Sequence, residues 1–177
     1  MKWSLGFLLL TASVVSTVAW QAQSNAKKAP VLSGNQWFNL SSSRKAPSPQ
    51  TSGKVTLVHF WTFACSNCQA NLPIYNRLFD RYKGQGLDFV GVHTPELSFE
   101  KNVENVQKAI AKEKIGWPVL IDNEGANWNR WGLHYWPTVF LVNAKGAIVF
   151  KWEGELNWNG QNGEWQLDAA IRRALGL

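Results

Sequence analysis

Short apolar runs alternate along this chain with stretches that carry apolar residues at helical spacing. Val55–Trp61 (VTLVHFW) and Leu87–His93 (LDFVGVH) are apolar enough to be strands covered on both faces. Between them, over about residues 65–83, one apolar stripe predicts an amphipathic helix that ends at a glycine-containing turn. Because parallel strands joined through a helix need a crossover, this order predicts an α/β fold.

Shorter elements of the same two kinds follow in the second half of the chain. In order, they are a helix over about 100–114, a strand at Val119–Ile121, a short helix at Ala126–Trp131, strands at Thr138–Val142 and 147–152, and a helix over 164–175. The last two strands flank a turn and predict an antiparallel hairpin. The predicted fold class is therefore α/β, with a central mixed sheet and helices on both faces.

Residues 1–24 carry the pattern of an export signal. Lys2 supplies a short positive n-region, and the eighteen uncharged residues that follow it supply an apolar h-region. An uncleaved membrane anchor remains the alternative, because about 17–25 apolar residues can cross a bilayer. Both alternatives predict an extracytoplasmic protein, periplasmic or secreted, that contacts the membrane only through this segment. The chain then divides into 1–24, a polar linker with a short strand or loop over 25–53, and a folded domain over 54–177.

Charge and cysteine content exclude several classes of protein. Eighteen Lys and Arg against twelve Asp and Glu give a net charge of +6, but the positive residues are scattered pairs. A nucleic-acid-binding surface usually gathers them into a stripe, so the pattern predicts a basic solvated surface and no nucleic-acid partner. Two cysteines exclude a disulfide-rich scaffold and a four-cysteine metal site. No cofactor and no metal are predicted.

Cys65 and Cys68 form a C-x-x-C motif at the start of the helix that follows the first buried strand. A helix N-terminus presents unpaired N–H groups and the positive end of the dipole, which favour a thiolate. The dipole contributes roughly 0.3–1 kcal/mol at an exposed site and about 2 kcal/mol at a partly buried one, which can lower the pKa of Cys65 by about one to one and a half units from ~8.5. A structural disulfide and a zinc site are the alternatives, although the candidate ligands His93 and His134 lack the usual close spacing.

Five further sequence segments, spread over most of the chain after residue 24, are characteristic of one protein family. They are FWT at 60–62, LP at 72–73, GVHTPE at 91–96, FEK at 99–101 and WPT at 136–138. Together with the C-x-x-C motif, they resemble the thioredoxin-like domain of DipZ-type proteins, within the TlpA/ResA group of extracytoplasmic thioredoxins. The resemblance implies a thioredoxin fold with an inserted helix and strand region around 94–117.

The same resemblance implies roles for five residues. Cys65 would be the attacking thiolate and Cys68 the resolving thiol. The Trp136-Pro137 bond would be cis and face the cysteines, and the backbone before Pro137 would pair with an extended substrate by strand addition. Trp61 and Trp136 would then line the substrate groove, although core packing is an alternative explanation for each tryptophan.

Some residues depart from the pattern of this family. His59 stands on the buried strand where thioredoxins usually carry an acidic residue, so it is a candidate acceptor for the Cys68 proton. A core histidine with satisfied hydrogen bonds is the alternative. Asn71 stands where ResA-like cytochrome-maturation reductases carry a glutamate, which argues against the cytochrome-specific role. His93 and Glu96 end the second strand and could approach the site, but they are expected to be solvent-facing loop residues.

These observations predict an extracytoplasmic thiol-disulfide oxidoreductase that exchanges a Cys65–Cys68 dithiol or disulfide with protein substrates. The resemblance favours the reducing direction, with a membrane-embedded electron donor, and the two residues between the cysteines carry no positive charge. A thiol peroxidase is one alternative, because residues 62–65 have the T-x-x-C spacing, but Val58 stands in place of the preceding proline. A non-catalytic peptide-binding or chaperone module is the other.

Overall fold

A six-stranded mixed sheet forms the centre of the computed structural model, which describes residues 26–43 and 45–177. The predicted signal or anchor at 1–24 lies outside the described residues. The strands are β1 (Trp37–Phe38), β2 (Val55–Trp61), β3 (Leu87–His93), β4 (Val119–Ile121), β5 (Thr138–Val142) and β6 (Ile148–Glu153). The helices are α1 (Ser66–Tyr82), α2 (Val103–Lys112), α3 (Ala126–Trp131) and α4 (Gly163–Leu175), with 3-10 turns at Ser98–Lys101 and Trp158–Gly160.

The strand order is β1-β4-β3-β2-β5-β6, so β2 lies inside the sheet. It pairs in parallel with β3 and antiparallel with β5, and every residue of β2 is buried. This double coverage explains why β2 is apolar at successive positions rather than at alternate ones. The pairing places the last residues of β2 beside the first residue of β5, since Phe60 is level with Thr138.

Helices cover both faces of the sheet, as predicted. On one face, α1 and α4 contribute buried residues such as Tyr75 and Leu167 to the larger apolar cluster. On the other face, α3 contributes Trp131, which packs with Phe60 and Phe140 at ring centroid distances of 5.4 and 5.0 Å. The cysteines lie at the start of α1, shortly after the end of the buried strand β2. Packing of both elements against the apolar layers of the sheet fixes the position of the cysteines.

Two sequence predictions need correction. The helix expected over 100–114 is a 3-10 turn and a separate helix α2, because Asn102 is extended and its side chain accepts the N–H of Asn105 as an N-cap. The folded unit also begins well before residue 54. Lys28 forms a bridge with Ala147, and β1, the short strand expected within 25–53, pairs with β4 at the edge of the sheet.

Among the residues that the structure describes, no helix is both long enough and apolar enough to cross a membrane.

Candidate active site

Cys65 and Cys68 lie at the start of α1, one turn apart, and differ in their surroundings. Cys65 is the N-cap residue and is half-buried, whereas Cys68 is buried, and both are free thiols. The Sγ of Cys65 accepts the backbone N–H of Cys68 at 3.2 Å. The sulfur predicted to be reactive is therefore the accessible one, and it occupies the position where the helix offers unpaired N–H groups.

The same contacts separate the acidities of the two thiols. A hydrogen bond with the side chain of Cys68, helped by the backbone N–H groups of Cys68 and Asn67, lowers the pKa of Cys65 against the opposing effects of burial and the charge of Glu96. Burial, the hydrogen bond to Cys65 and nearby negative charge raise the pKa of Cys68. The geometry thus favours a thiolate on Cys65 and a protonated thiol on Cys68.

The loop before β5 lies at the same end of the sheet as the cysteines. Its Trp136-Pro137 peptide bond is cis, as the family resemblance implied. Trp136 is half-buried, stacks on Trp128 at a centroid distance of 3.8 Å and donates its indole N–H to the Thr94 carbonyl at 3.0 Å. Trp136 is therefore held in a fixed orientation with part of its surface accessible.

Trp61 is packed in the core, which is the alternative that its sequence position left open. It is 1 % exposed and packs in the larger apolar cluster, with its ring edge-on to His93 at 5.3 Å between centroids. Its position explains this burial, because Trp61 is the last residue of a strand that is buried on both faces.

His59 is a fully buried histidine in the middle of β2. Its Nε2 accepts the indole N–H of Trp117 at 2.8 Å, and this bond places the proton of the neutral ring on Nδ1. Burial lowers the pKa of His59 to about 3. Close packing is possible because residue 91 is glycine: a Cβ there would lie 3.1 Å from the His59 Nε2. The ring is thus packed in the core with Nε2 hydrogen-bonded, while its buried Nδ1 has no hydrogen-bond partner among the described residues.

Asn71 is a buried amide that links α1 to the cis-proline loop. Its Oδ1 accepts the N–H of Leu156 at 2.8 Å, and its Nδ2 donates to the carbonyl of Gly154 at 3.1 Å and to the hydroxyl of Tyr75 at 3.3 Å. Gly154 in turn donates its N–H to the carbonyl of Pro137 at 2.7 Å. One turn beyond Cys68, the helix is thus connected to the loop that is expected to meet substrate.

A buried polar cluster beside the cysteines was missed by sequence reasoning. Glu100 is 0 % exposed and accepts the hydroxyl of Thr62. His93 is also buried, not solvent-facing as predicted, and its Nε2 lies 3.3 Å from the Thr62 oxygen. Burial lowers the pKa of His93 to about 4 despite the charge of Glu100. Glu96, by contrast, is exposed as expected.

Within the described ranges, no three His, Cys, Asp or Glu side chains lie together in a group that could hold a metal ion. The chemistry that these residues themselves supply is that of a dithiol and a disulfide.

Comparison with known proteins places these features in a family. The family model described as Redoxin matches residues 25–170. Protein DipZ of Mycobacterium tuberculosis is 37 % identical over 132 residues, which cover 74 % of this chain but only 19 % of DipZ. Sporulation thiol-disulfide oxidoreductase A of Bacillus subtilis is 30 % identical over 96 residues, covering 54 % of this chain and 57 % of that protein.

Solved structures have the same fold. The crystal structure of StoA from Bacillus subtilis superposes with a TM-score of 0.60 at 25 % identity, over 77 % of this chain and 96 % of StoA. A thioredoxin-like protein solved in its oxidized form superposes with a TM-score of 0.70 at 22 % identity, over 85 % and 96 % of the two chains. The chain belongs to the Redoxin family and has a thioredoxin-like fold.

Proposed function

We propose that this protein is a thiol-disulfide oxidoreductase in which Cys65 is the nucleophile and Cys68 is the resolving thiol. The observation that carries the proposal is the asymmetry of the pair. One sulfur is accessible at a helix N-terminus with a lowered pKa, and the other is buried one turn behind it with a raised pKa. Relatives named thiol-disulfide oxidoreductases support this assignment.

The reaction proceeds in two exchanges. The Cys65 thiolate attacks a substrate disulfide, so that a Cys65–substrate S–S bond forms and the substrate bond breaks, and the departing substrate thiolate takes up a proton. That proton comes from Cys68, which then attacks the Sγ of Cys65 as a thiolate. The Cys65–Cys68 disulfide forms as the second substrate thiol leaves. The substrate gains two electrons, and the pair loses them.

Substrate would bind beside the cis-proline loop. The family resemblance implies that the backbone preceding Pro137 pairs with an extended segment, a mode in which main-chain bonds supply affinity without reading much sequence. The accessible face of Trp136 and the exposed side chains of Leu97, Phe99 and Tyr135 provide apolar contact area near the site. This surface suits unfolded or extended protein segments as substrates.

We assign His59 to the fold rather than to proton transfer. Its Nε2 lone pair is already used by the Trp117 N–H, and its lowered pKa makes the ring a weak base at neutral pH. The proposal therefore needs another acceptor for the proton of Cys68. The departing substrate thiolate, generated at the same site, is a base of suitable strength.

We further propose that the protein works outside the cytoplasm and in the reducing direction, with a membrane-embedded electron donor. The export pattern of residues 1–24 supports the location. The direction is supported by the family resemblance and by Ser66 and Asn67, which lie between the cysteines and carry no positive charge that would stabilise the Cys65 thiolate further. A strongly stabilised thiolate would favour the reduced form and make the disulfide a strong oxidant.

Insulin reduction with single-cysteine variants tests the proposed roles. Cys65→Ser should abolish turnover, while Cys68→Ser should form a mixed disulfide with substrate that persists because nothing resolves it. The exposed Asn129→Ser variant is the matched control and should turn over normally. Turnover by Cys65→Ser, with loss only in Cys68→Ser, would reverse the assignment. Peptide binding without any turnover, surviving in the double cysteine variant, would favour the binding-module alternative.

Equilibration of the pair with a glutathione series tests the direction. A reductase should have a reduction potential near that of thioredoxin, about −270 mV, whereas an oxidant would lie near the DsbA value of about −120 mV. Fast, saturating consumption of hydrogen peroxide would instead favour the peroxidase alternative.

A further inference from the structure

Glu100 is a buried carboxylate that joins two loops of the candidate site. Its side chain is 0 % exposed, and both of its oxygens accept hydrogen bonds. One oxygen accepts the Thr62 hydroxyl and the backbone N–H of Ala64, the latter at 2.9 Å. The other accepts the backbone N–H groups of Glu96 and Leu97 at 2.9 and 2.7 Å.

Each of these loops carries part of the proposed reaction. Ala64 immediately precedes Cys65, so the first oxygen anchors the backbone that leads into the nucleophile. The second oxygen anchors the loop that follows Thr94, whose carbonyl accepts the indole N–H of Trp136 at 3.0 Å. One carboxylate therefore connects the approach to Cys65 with the support of the substrate-facing tryptophan.

The chemistry of Glu100 indicates that the ionised form is required. Burial by itself raises the pKa of this carboxyl, but the bonds from Thr62, Ala64, Leu97 and Glu96 outweigh it and hold the pKa below its usual value. A buried carboxylate is tolerated only when its oxygens are satisfied, and here four donors satisfy them. A neutral side chain of the same shape has one acceptor oxygen and cannot hold both loops.

We propose that Glu100 is a positioning residue for thiol-disulfide exchange, which holds the backbone before Cys65 at a fixed orientation to the start of α1 and to Trp136. This inference rests on the proposed role of Cys65. Glu100 acts through the backbone and does not touch the reacting sulfur of Cys65.

The test is the pH dependence of Cys65 alkylation in Glu100→Gln. When the loop before Cys65 loosens, its Sγ loses alignment with the N–H groups at the start of α1, and its pKa rises toward that of an ordinary thiol. The other titratable groups that face Cys65 are Cys68 and Glu96. Below the pKa, each unit of increase lowers the thiolate fraction about tenfold, so we expect alkylation roughly three- to tenfold slower near about pH 6.

Two matched pairs separate positioning from general destabilisation. Glu104→Gln makes the same substitution at an exposed carboxylate four residues along the chain and should alkylate like the wild type. Thr62→Val removes one bond to Glu100 and should shift the profile in the same direction, whereas Thr62→Ser keeps the hydroxyl and should restore it. The Thr62 pair decides the matter if Glu100→Gln does not fold.

The alkylation profile and the melting temperature together distinguish a positioning role of Glu100 from a purely structural one. A lowered melting temperature with an unchanged or lowered Cys65 pKa in Glu100→Gln would overturn the proposal, because a purely structural role moves stability alone. For an unfolded Glu100→Gln, identical profiles of Thr62→Val and Thr62→Ser would overturn it as well. A failure of the proposed function is seen separately, as insulin reduction by Cys65→Ser.

Discussion

Replacing Asn71 by aspartate changes one buried nitrogen to oxygen at the connection between α1 and the cis-proline loop. In the native protein, Nδ2 donates to the Gly154 carbonyl at 3.1 Å and to the Tyr75 hydroxyl at 3.3 Å. An ionised aspartate would place a carboxylate oxygen against the Gly154 carbonyl, with no donor between them. The Leu156 N–H can still be accepted by the other oxygen.

The cost has two components, which depend on pH. Leaving the Gly154 carbonyl unpaired costs about 1–3 kcal/mol, and burying the charge adds to that. Protonation of the new carboxyl restores a donor, so its pKa in the folded state is raised above the unfolded value of about 3.9. The folded state then retains a proton that the unfolded state has lost. The unfolding free energy of Asn71→Asp, relative to the wild type, therefore falls by up to about 1.4 kcal/mol per pH unit as the pH rises above about 3.9.

Urea unfolding of Asn71→Asp and the wild type at about pH 5 and 7.5 measures this effect. We expect a loss of about 2–4 kcal/mol at the higher pH and a clearly smaller loss at the lower one. Asn129→Asp, at an exposed position on α3, should change stability by less than about 0.5 kcal/mol at both. An equal loss at the two pH values, or none, would refute this account of the Asn71 amide.

Three other predictions follow from the same contacts. Burial lowers the pKa of His59 to about 3, whereas the ring in the unfolded chain has the ordinary histidine pKa of 6.5, so this group causes stability to fall as pH drops below about 6.5, by up to ~1.4 kcal/mol per unit. His59→Gln should flatten that slope in urea unfolding, and an unchanged slope would contradict this prediction. One equivalent of iodoacetamide near about pH 7 should label Cys65 rather than Cys68, as read by peptide mass spectrometry, and equal labelling would contradict the assigned acidities. Gly91→Ala should cost about 1–3 kcal/mol of unfolding free energy, because its Cβ would lie 3.1 Å from the His59 Nε2, whereas Gly84→Ala meets nothing within 4 Å and should be nearly neutral.

The central strands were predictable because their buried residues follow one another as uninterrupted apolar runs. The bounds of β2, β3, β4 and β5 agree with the apolar runs, since a strand covered on both faces is apolar throughout. Helix α1 was predictable for the complementary reason, because its buried residues recur at helical spacing. The position of the cysteines at the start of α1 follows directly from these two patterns.

The edge of the sheet carries a weaker signal. The strand β1 contains two half-buried residues and depends on pairing with β4, which lies about eighty residues further along the chain. The position of Trp61 was ambiguous from the sequence for a related reason. A tryptophan near the end of a buried strand can face the core or a groove, and only the packing around it decides which.

The buried polar cluster of Thr62, His93 and Glu100 could not be predicted from local sequence patterns. Glu100 and Thr62 are 38 positions apart, so nothing near either residue shows that they meet. Glutamate and histidine side chains are more often exposed or partly buried than fully buried. For this reason the sequence predicts Glu100 at the start of a helix and His93 in a solvent-facing loop. The burial of Glu100 is explained by four hydrogen-bond donors that come from two separate loops.

A titration of the thiolate absorbance of the reduced protein, repeated in Cys65→Ser and Cys68→Ser, tests the central claim most directly. The account predicts a thiol pKa below the ordinary value of about 8.5 that disappears in Cys65→Ser and persists in Cys68→Ser. A Cys65 thiol that titrates at or above about 8.5 would contradict the account, because the accessible sulfur would then gain nothing from its place at the start of the helix.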